Sequence, residues 1–414
     1  MIGSKGGFKT RPYGEEKIFL ACVVEYKAMG SEKKLAGRKI ERVLLIYPPV
    51  SFSRQSMKQC HLPLGIAYIA AVLKEVCEVK VLDAAVEGYA REERVGETRK
   101  EERGKGFLRY GLSFDEIEKR IAEAKPDLVG ISCIFSSQFQ NTVEVATRAK
   151  KVNPEIITVV GGSHPTFLSE QIFADKSVCA PIDFIVKGEG EFALRDLIEA
   201  IRQGRGPDTV PGLAWKENGE YRHSGLRPPY QTLDEIPFPA RELFPVKEYH
   251  RIGLPMGSVY QQRPFMNLIT SRGCPYRCTF CSSTNFWGNK YRVRSPENVL
   301  KEMEELVRKY GIREFKFFDD NLTANSRRAK EIFRGMIERK LRVSWNTPNG
   351  VHVVNIDEEM LDLMKGSGCY ELTLAVESGD QTVLRDIVHK PTDLDDVVRA
   401  ARLIRKKGIG SHGF

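Results

Sequence analysis

Short apolar runs alternate with amphipathic stretches along most of this chain. Val43-Leu-Leu-Ile-Tyr47 is continuously apolar, as expected of a strand buried on both faces. Leu64, Ala67, Tyr68, Ala71 and Val72 then recur at helical spacing, which predicts a helix over 64–76. The rhythm repeats. Strands are predicted at Val79–Leu82, Asp127–Ser132, Ile156–Val160 and Asp183–Lys187. Helices are predicted at Phe114–Ala124, Thr142–Val152, Phe167–Ala174 and Glu191–Arg202, with a charged insertion around 88–106. Strands alternating with helices at these spacings predict a doubly wound, Rossmann-like parallel α/β sheet over 39–205.

Residues 1–38 lack clear periodicity and read as an N-terminal extension. Residues 206–262 break the alternation. Asn218-Gly219 is a hairpin turn signal, and Pro228, Pro229, Pro237, Pro239 and Pro245 read as an extended linker. From 263 to the last residue the alternation resumes. Phe265–Thr270 is a strand; Ser295-Pro296 caps and opens a helix that Gly311 closes. Strands at Glu314–Phe318, Arg342–Trp345 and Glu371–Val376 follow, with helices at Ser326–Arg339, Asp357–Lys365 and Leu394–Lys407. Ile409 onward reads as the start of one more strand.

Composition narrows the class. A chain of 414 residues, 41% hydrophobic and 29% charged, has room for two or three ordinary folded domains. No apolar run approaches the ~20 residues of a membrane helix. Nine cysteines without secretory features fit a reducing, cytoplasmic setting. The net charge of +9 is spread among 55 acidic residues, which describes a solvated surface and argues against nucleic acid as a partner. Cys22, Cys60, Cys77, Cys133 and Cys179 lie in apolar surroundings and read as small buried hydrophobes.

Cys274, Cys278 and Cys281 are different. In Cys274-Pro-Tyr-Arg-Cys278-Thr-Phe-Cys281 three thiols fall within eight residues as C-x3-C-x2-C. Thiolates are soft ligands and suit iron–sulfur clusters. Structural zinc asks for a second ligand pair, and none follows; Cys369 stands alone. Paired disulfides have little room at this spacing. A cubane held by three thiolates keeps one iron without a protein ligand, free to chelate a small molecule.

The motif resembles the signature of the radical-SAM superfamily. The resemblance implies a 4Fe-4S cluster on Cys274, Cys278 and Cys281, whose open iron binds S-adenosyl-L-methionine and cleaves it to a 5′-deoxyadenosyl radical. It implies that Phe280 lies near the adenine. It also implies cosubstrate contacts from Asp319, Asp320 and Asn321, and from Glu377 and Ser378, which follow two apolar strands. A core of this family is a partial barrel of six βα units. Four units and the start of a fifth follow Phe265, so the chain reads as C-terminally truncated.

The first region resembles the cobalamin-binding domain that precedes the radical-SAM core in one large subfamily. The matching pieces are Gly130-Ile-Ser132, Val160-Gly-Gly-Ser-His-Pro-Thr166 and Lys187-Gly-Glu-Gly-Glu191. The resemblance assigns Ser132, Gly161, Gly162, His164, Gly188 and Glu189 to the cofactor. The D-x-H-x-x-G motif of many cobalamin domains is absent: Asp83-Ala-Ala-Val-Glu-Gly88 has alanine in place of the histidine and reads as coincidence. His61 reads as a surface-loop histidine. The fold class expected is therefore α/β, a Rossmann-like cobalamin-binding domain followed by a partial radical-SAM barrel.

The function expected is cobalamin-dependent methyl transfer to an unactivated carbon. A radical cyclase or rearrangement enzyme of the same subfamily is the alternative. A methylthiotransferase acting on transfer RNA would need three further clustered cysteines, and a non-enzymatic cobalamin carrier would not need the thiol triplet. The expected partners are a small-molecule, lipid or peptide substrate and an electron donor for the cluster.

Overall fold

The computed structural model describes residues 35–53, 56–95, 107–254, 260–288 and 290–414. The expected N-terminal extension, through residue 34, and most of the charged insertion lie outside the described residues.

Two sheets organise the chain. The first contains β1 (Arg42–Tyr47), β2 (Glu78–Asp83), β3 (Leu128–Ser132), β4 (Ile157–Gly161), β5 (Phe184–Val186), β6 (Leu213–Glu217) and β7 (Glu220–His223). Their spatial order is β7-β6-β5-β4-β3-β1-β2. The five strands β1 to β5 run parallel, and β1 pairs with β2 on one side and β3 on the other. That is the doubly wound order, with the chain switching direction across the sheet between β1 and β3. The Asn218-Gly219 hairpin does not stand apart: β6 pairs antiparallel with β5, so the sheet continues to His223. Trp215 and Leu213 are buried there, which is the burial that draws the hairpin onto the sheet edge.

Helices α1 (Leu64–Leu73) and α5 (Glu191–Arg202) cover one face. Helices α2 (Phe114–Ala124), α3 (Phe139–Val152) and α4 (Ser163–Ala174) belong with the other. α2 starts with a capping box between Ser113 and Glu116. α4 begins four residues earlier than its periodicity suggests, so His164 sits in its first turn. The insertion edges form a small antiparallel sheet from Val50–Ser53, Phe107–Tyr110 and Glu92–Val95, which no apolar pattern announced.

The second sheet is all parallel: β8 (Phe265–Leu268), β9 (Glu314–Phe317), β10 (Ser344–Val351), β11 (Cys369–Leu374) and β12 (Gly410–Gly413), neighbours in that order. Helices α6 (Pro296–Tyr310), α7 (Ser326–Glu338), α8 (Glu358–Gly366) and α9 (Leu394–Lys406) connect the strands. α6 is bounded as its sequence says: the Ser295 side chain accepts from the Asn298 amide, and Gly311 closes the helix in the left-handed region at φ +65°. Trp345 on β10 points outward, stacked on Phe333 of α7 and edge-on to Phe317.

The segment between the sheets is not an extended linker. Leu233, Ile236, Phe244 and Val246 are buried in one apolar cluster that also holds α1, α5 and the core of the second sheet. At roughly 1.5–3 kcal/mol for each large apolar side chain taken from water, these four alone contribute on the order of 6–12 kcal/mol to holding the sheets together. No helix among the described residues is long and apolar enough to cross a membrane.

Candidate active site

The strand ends of the two sheets present the expected site residues. β8 leads through Thr270 into a two-residue strand, Ser271–Arg272, which pairs antiparallel with Arg292–Val293. Gly273, at φ +82°, then turns the chain into the cysteine loop. Cys274 and Cys278 are half-buried, and Cys281 is exposed. Burial raises the Cys274 thiol, partly offset by the Tyr276 amide and the Asn321 side chain. Burial likewise raises Cys278, with Lys390 pulling the other way. Phe280, between the last two cysteines, is 61% exposed.

The loop is pinned from several sides. Thr279 donates through its amide to the Val388 carbonyl (3.0 Å) and through its hydroxyl to Ile387 (2.9 Å). Tyr276 stacks on His352 at 4.2 Å between centroids, and His352 Nε2 meets the Thr392 hydroxyl at 2.9 Å. Burial, with Lys390 nearby, pushes the His352 imidazole down to about 4, so it is neutral at ordinary pH. Lys390 itself pairs with Glu377 at 3.1 Å.

The acidic pair after β9 lies against this loop. Asp319 is 2% exposed and accepts from the Thr270 amide (3.1 Å), the Thr270 hydroxyl (2.7 Å) and the Ser271 hydroxyl. Asp320 accepts from the Gly273 amide (3.2 Å) and the Ser283 hydroxyl (3.1 Å). Both carboxyls are raised by burial. These bonds tie both carboxylates to the entry and exit of the cysteine loop. Asn321 adjoins Cys274 from the same turn. Glu377 holds a left-handed backbone (φ +75°) and donates its amide to Phe414 (2.7 Å). The Ser378 hydroxyl accepts from the Asp380 amide (3.1 Å), a local turn bond.

On the first sheet, Ser132, Gly161, Gly162 and Gly188 lie at the carboxyl ends of β3, β4 and β5. Gly162 is at φ +118°, and a Cβ there would stand 2.4 Å from the Cys133 carbonyl oxygen. Gly188, at φ +80°, is the opposite case: a Cβ would meet nothing within 4 Å. His164 is held by the Ser136 hydroxyl on Nδ1 (2.9 Å) and by the Phe139 ring, and burial lowers its pKa. Glu189 points away from the sheet ends: its carboxylate pairs with Arg272 (2.6 Å) and with Arg292. Ile134, Phe135 and Phe167 leave apolar surface open at the same edge, and Phe167 meets Phe286, just past the cysteine loop, at 6.3 Å.

Two orphaned polar atoms lie among the loops near β1. Gln138 Oε1 and His61 Nδ1 are buried with no hydrogen-bond partner. His61 is not on an exposed surface loop; its ring packs edge-on to Phe318 at 5.2 Å, and burial lowers it to about 4. Asp83 of the D-A-A-V-E-G segment caps a short helix through the Val86 amide (3.0 Å) and receives the Tyr249 hydroxyl, a purely structural use. Cys60, Cys133, Cys179 and Cys369 are buried free thiols and Cys77 is half-buried, while Cys22 lies outside the described residues.

Sequence reasoning missed Arg272, Glu191, Arg292, Tyr276 and His352. The opposite charges of Ser271-Arg-Gly273 and Gly188-Glu-Gly-Glu191 were the available signal for the first two.

The residues suit the expected cofactors. No group of three or more His, Cys, Asp or Glu among the described residues closes round a single ion. A cubane asks for a different spacing, because each thiolate takes a different iron corner, and three thiols on one loop provide the donor chemistry. The open Cβ direction at Gly188, the exposed Ile134, Phe135 and Phe167, and the orphaned Gln138 Oε1 fit a large, mostly apolar ligand carrying polar edge groups.

Comparison with known proteins agrees. A B12-binding domain model matches residues 52–198, and a Radical SAM superfamily model matches residues 268–414. The chain is 36% identical over 400 residues to cytidylyl-2-hydroxyethylphosphonate methyltransferase of Streptomyces wedmorensis, covering 91% of this chain and 72% of that protein. It is 33% identical over 377 residues to anaerobic magnesium-protoporphyrin IX monomethyl ester cyclase of Rubrivivax gelatinosus, covering 89% of this chain and 61% of that one. The fold matches the solved radical S-adenosylmethionine methyltransferase TsrM of Kitasatospora setae, bound to cobalamin and a [4Fe-4S] cluster. The TM-score is 0.68 at 20% identity, over 90% of this chain and 69% of that one. This chain therefore belongs to the radical SAM enzymes that carry a B12-binding domain ahead of the radical domain, with a 4Fe-4S cluster, S-adenosyl-L-methionine and cobalamin as the cofactors of that family.

Proposed function

We propose that this protein methylates an unactivated carbon of a small-molecule, lipid or peptide substrate. The observation that carries the reading is the three-thiol loop anchored across from the glycine-lined strand ends of the first sheet. Bound together, the cofactors supply reductive cleavage of S-adenosyl-L-methionine and a transferable methyl group.

The chain's own residues bind and orient. Cys274, Cys278 and Cys281 are the cluster ligands. Asp319 and Asp320 hold that loop in place, a positioning role beside the cosubstrate contact expected of this turn, and Asn321 adjoins Cys274. Phe280 offers an exposed ring for the adenine, and Glu377 and Ser378 sit at the strand end where ribose and methionine groups would lie. Ser132, Gly161, Gly162, His164 and Gly188 line the cobalamin side. We assign residues 39–205 with the β6–β7 hairpin to the cobalamin unit and 263–414 to the radical unit. A reducing, cytoplasmic setting and an external electron donor complete the reading.

Anaerobically reconstituted protein with reductant and a methyl acceptor should yield both S-adenosylhomocysteine and 5′-deoxyadenosine. The 33% identity to the cyclase favours a second reading, radical ring closure. In that case 5′-deoxyadenosine would form without S-adenosylhomocysteine. Neither product above background, from protein with full iron and corrin content, would defeat both readings.

A further inference from the structure

Charge joins two short loops from different sheets. Arg272 immediately precedes Gly273-Cys274, and its guanidinium pairs with Glu189 at 2.6 Å and with Glu191, both beyond the end of β5. Arg292, opposite Arg272 in the two-stranded ribbon, reaches the other oxygen of Glu189. All four side chains are no more than 6% exposed. The Arg272 guanidinium also lies over two rings, Tyr68 of α1 at 5.4 Å and Trp287 of the radical unit at 5.3 Å.

The group is electrically neutral: two guanidiniums, two carboxylates. Buried ion groups of this kind rarely add stability over apolar packing. A guanidinium fork bonded to two carboxylates fixes direction as well as distance, which an ammonium does not. Two residues from Arg272 in one direction is Cys274. One residue back from Glu189 is Gly188, with its open Cβ side. Displacing either loop must therefore displace the other or break a desolvated ion pair.

We propose that Arg272 is a positioning residue that sets the separation between the cluster-bearing loop and the cobalamin-facing loop at Gly188. The inference rests on the cofactor reading above, and it assigns to Glu189 and Glu191 the role of domain clamp. Misplacement by about 1 Å is enough to cost roughly a hundredfold in reactions between held groups, so a clamp here bears on rate.

The test compares Arg272→Lys and Glu191→Gln with Glu302→Gln, which perturbs another buried ion group that makes no contact with either loop. Protein is reconstituted anaerobically with cluster and cobalamin, and iron and corrin are assayed. Pulsed dipolar resonance then reads the distance distribution between the reduced cluster and cob(II)alamin. Amide hydrogen exchange is followed at residues 188–191 and 273–281.

Arg272→Lys and Glu191→Gln should keep wild-type iron and corrin content. Their distance distributions should widen, and exchange at 188–191 should rise on the order of tenfold, the scale of coupling lost between contacting groups. Glu302→Gln should leave the cluster–cobalt distance distribution unchanged, and the exchange it raises by lowering global stability should be spread over the fold with no excess at 188–191. Wild-type widths and protection in Arg272→Lys and Glu191→Gln would overturn the proposal, as would equal broadening in Glu302→Gln. If wild-type protein takes up no cluster or corrin, the cofactor reading fails; the exchange data then decide whether the two loops are mechanically joined.

Discussion

Glu302 on α6 stands between Arg241 and Arg294, with side-chain exposures of 1%, 3% and 4%. Burial would raise this carboxyl, yet Arg294 and Arg241 hold it below the usual range, so it is ionised in the folded protein. Glu302→Gln keeps the shape and removes the charge. Two guanidiniums are then left facing each other in a dry site. The remaining bonds, from Arg241 to the Asn267 carbonyl (3.3 Å) and from Arg294 to the Ile269 carbonyl (3.0 Å), the Asn298 side-chain oxygen (2.6 Å) and the Asn298 carbonyl (3.2 Å), carry no countercharge. Breaking a buried ion pair by removing one partner costs about 3–5 kcal/mol. At about 2–4 °C per kcal/mol for a unit of 150–250 residues, the unfolding midpoint should fall by roughly 6–20 °C. Circular dichroism melts of the two proteins, prepared in parallel under anaerobic conditions, measure it. A fall of less than about 2 °C would show that water or relaxation supplies the missing charge compensation, and the reasoning would be refuted.

Other outcomes follow from single features. Burial raises the Asp83 carboxyl from 3.8 to about 6, against the bonds from Tyr249 and Val86. An acid that titrates higher when folded costs stability as pH climbs from about 4 to 6. The total is about 3 kcal/mol at 1.36 kcal/mol per unit. Urea melts of Asp83→Asn against wild type should therefore show the variant gaining relative stability between pH 4.5 and 7.5; a pH-independent difference would contradict this. Cys278→Ser should abolish the iron–sulfur absorbance of reconstituted protein while leaving its far-ultraviolet dichroism intact, and retained wild-type iron content would remove Cys278 from the ligand set. Gly162→Ala should lower the unfolding midpoint without cofactor present, because its Cβ meets the Cys133 backbone. Gly188→Ala has space for its Cβ and only backbone strain to bear, so it should cost less stability but weaken corrin retention on a size-exclusion column. The reverse ranking would mean Gly188 serves only the turn.

The alternation of apolar runs made the parallel strands and their order of appearance legible, and the capping chemistry of Ser295 and Gly311 marked both ends of α6. The cysteine triplet was legible because three soft ligands on one loop have few structural uses. What escaped notice was set by long-range contact. Residues 228–252 look like a proline-rich linker because local composition does not reveal that Leu233, Ile236 and Phe244 find partners on both sheets. Asp319 and Asp320 follow an apolar strand, which suggested ligand contacts. Whether their oxygens face a ligand or the Thr270 and Gly273 amides depends on how the neighbouring strand ends. The charges of Arg272 and Glu191 were visible, but nothing local said that residues 81 positions apart would pair.

The shared apolar cluster also bears on how such an enzyme can be taken apart or recombined. Because α1, α5, residues 233–246 and the second sheet bury a common interior, cutting near residue 205 or 262 would strip each fragment of its wall. Grafting a new radical unit for altered selectivity would succeed more often if the exchanged piece carried the whole stretch from Leu233 onward together with matching residues on the outer faces of α1 and α5.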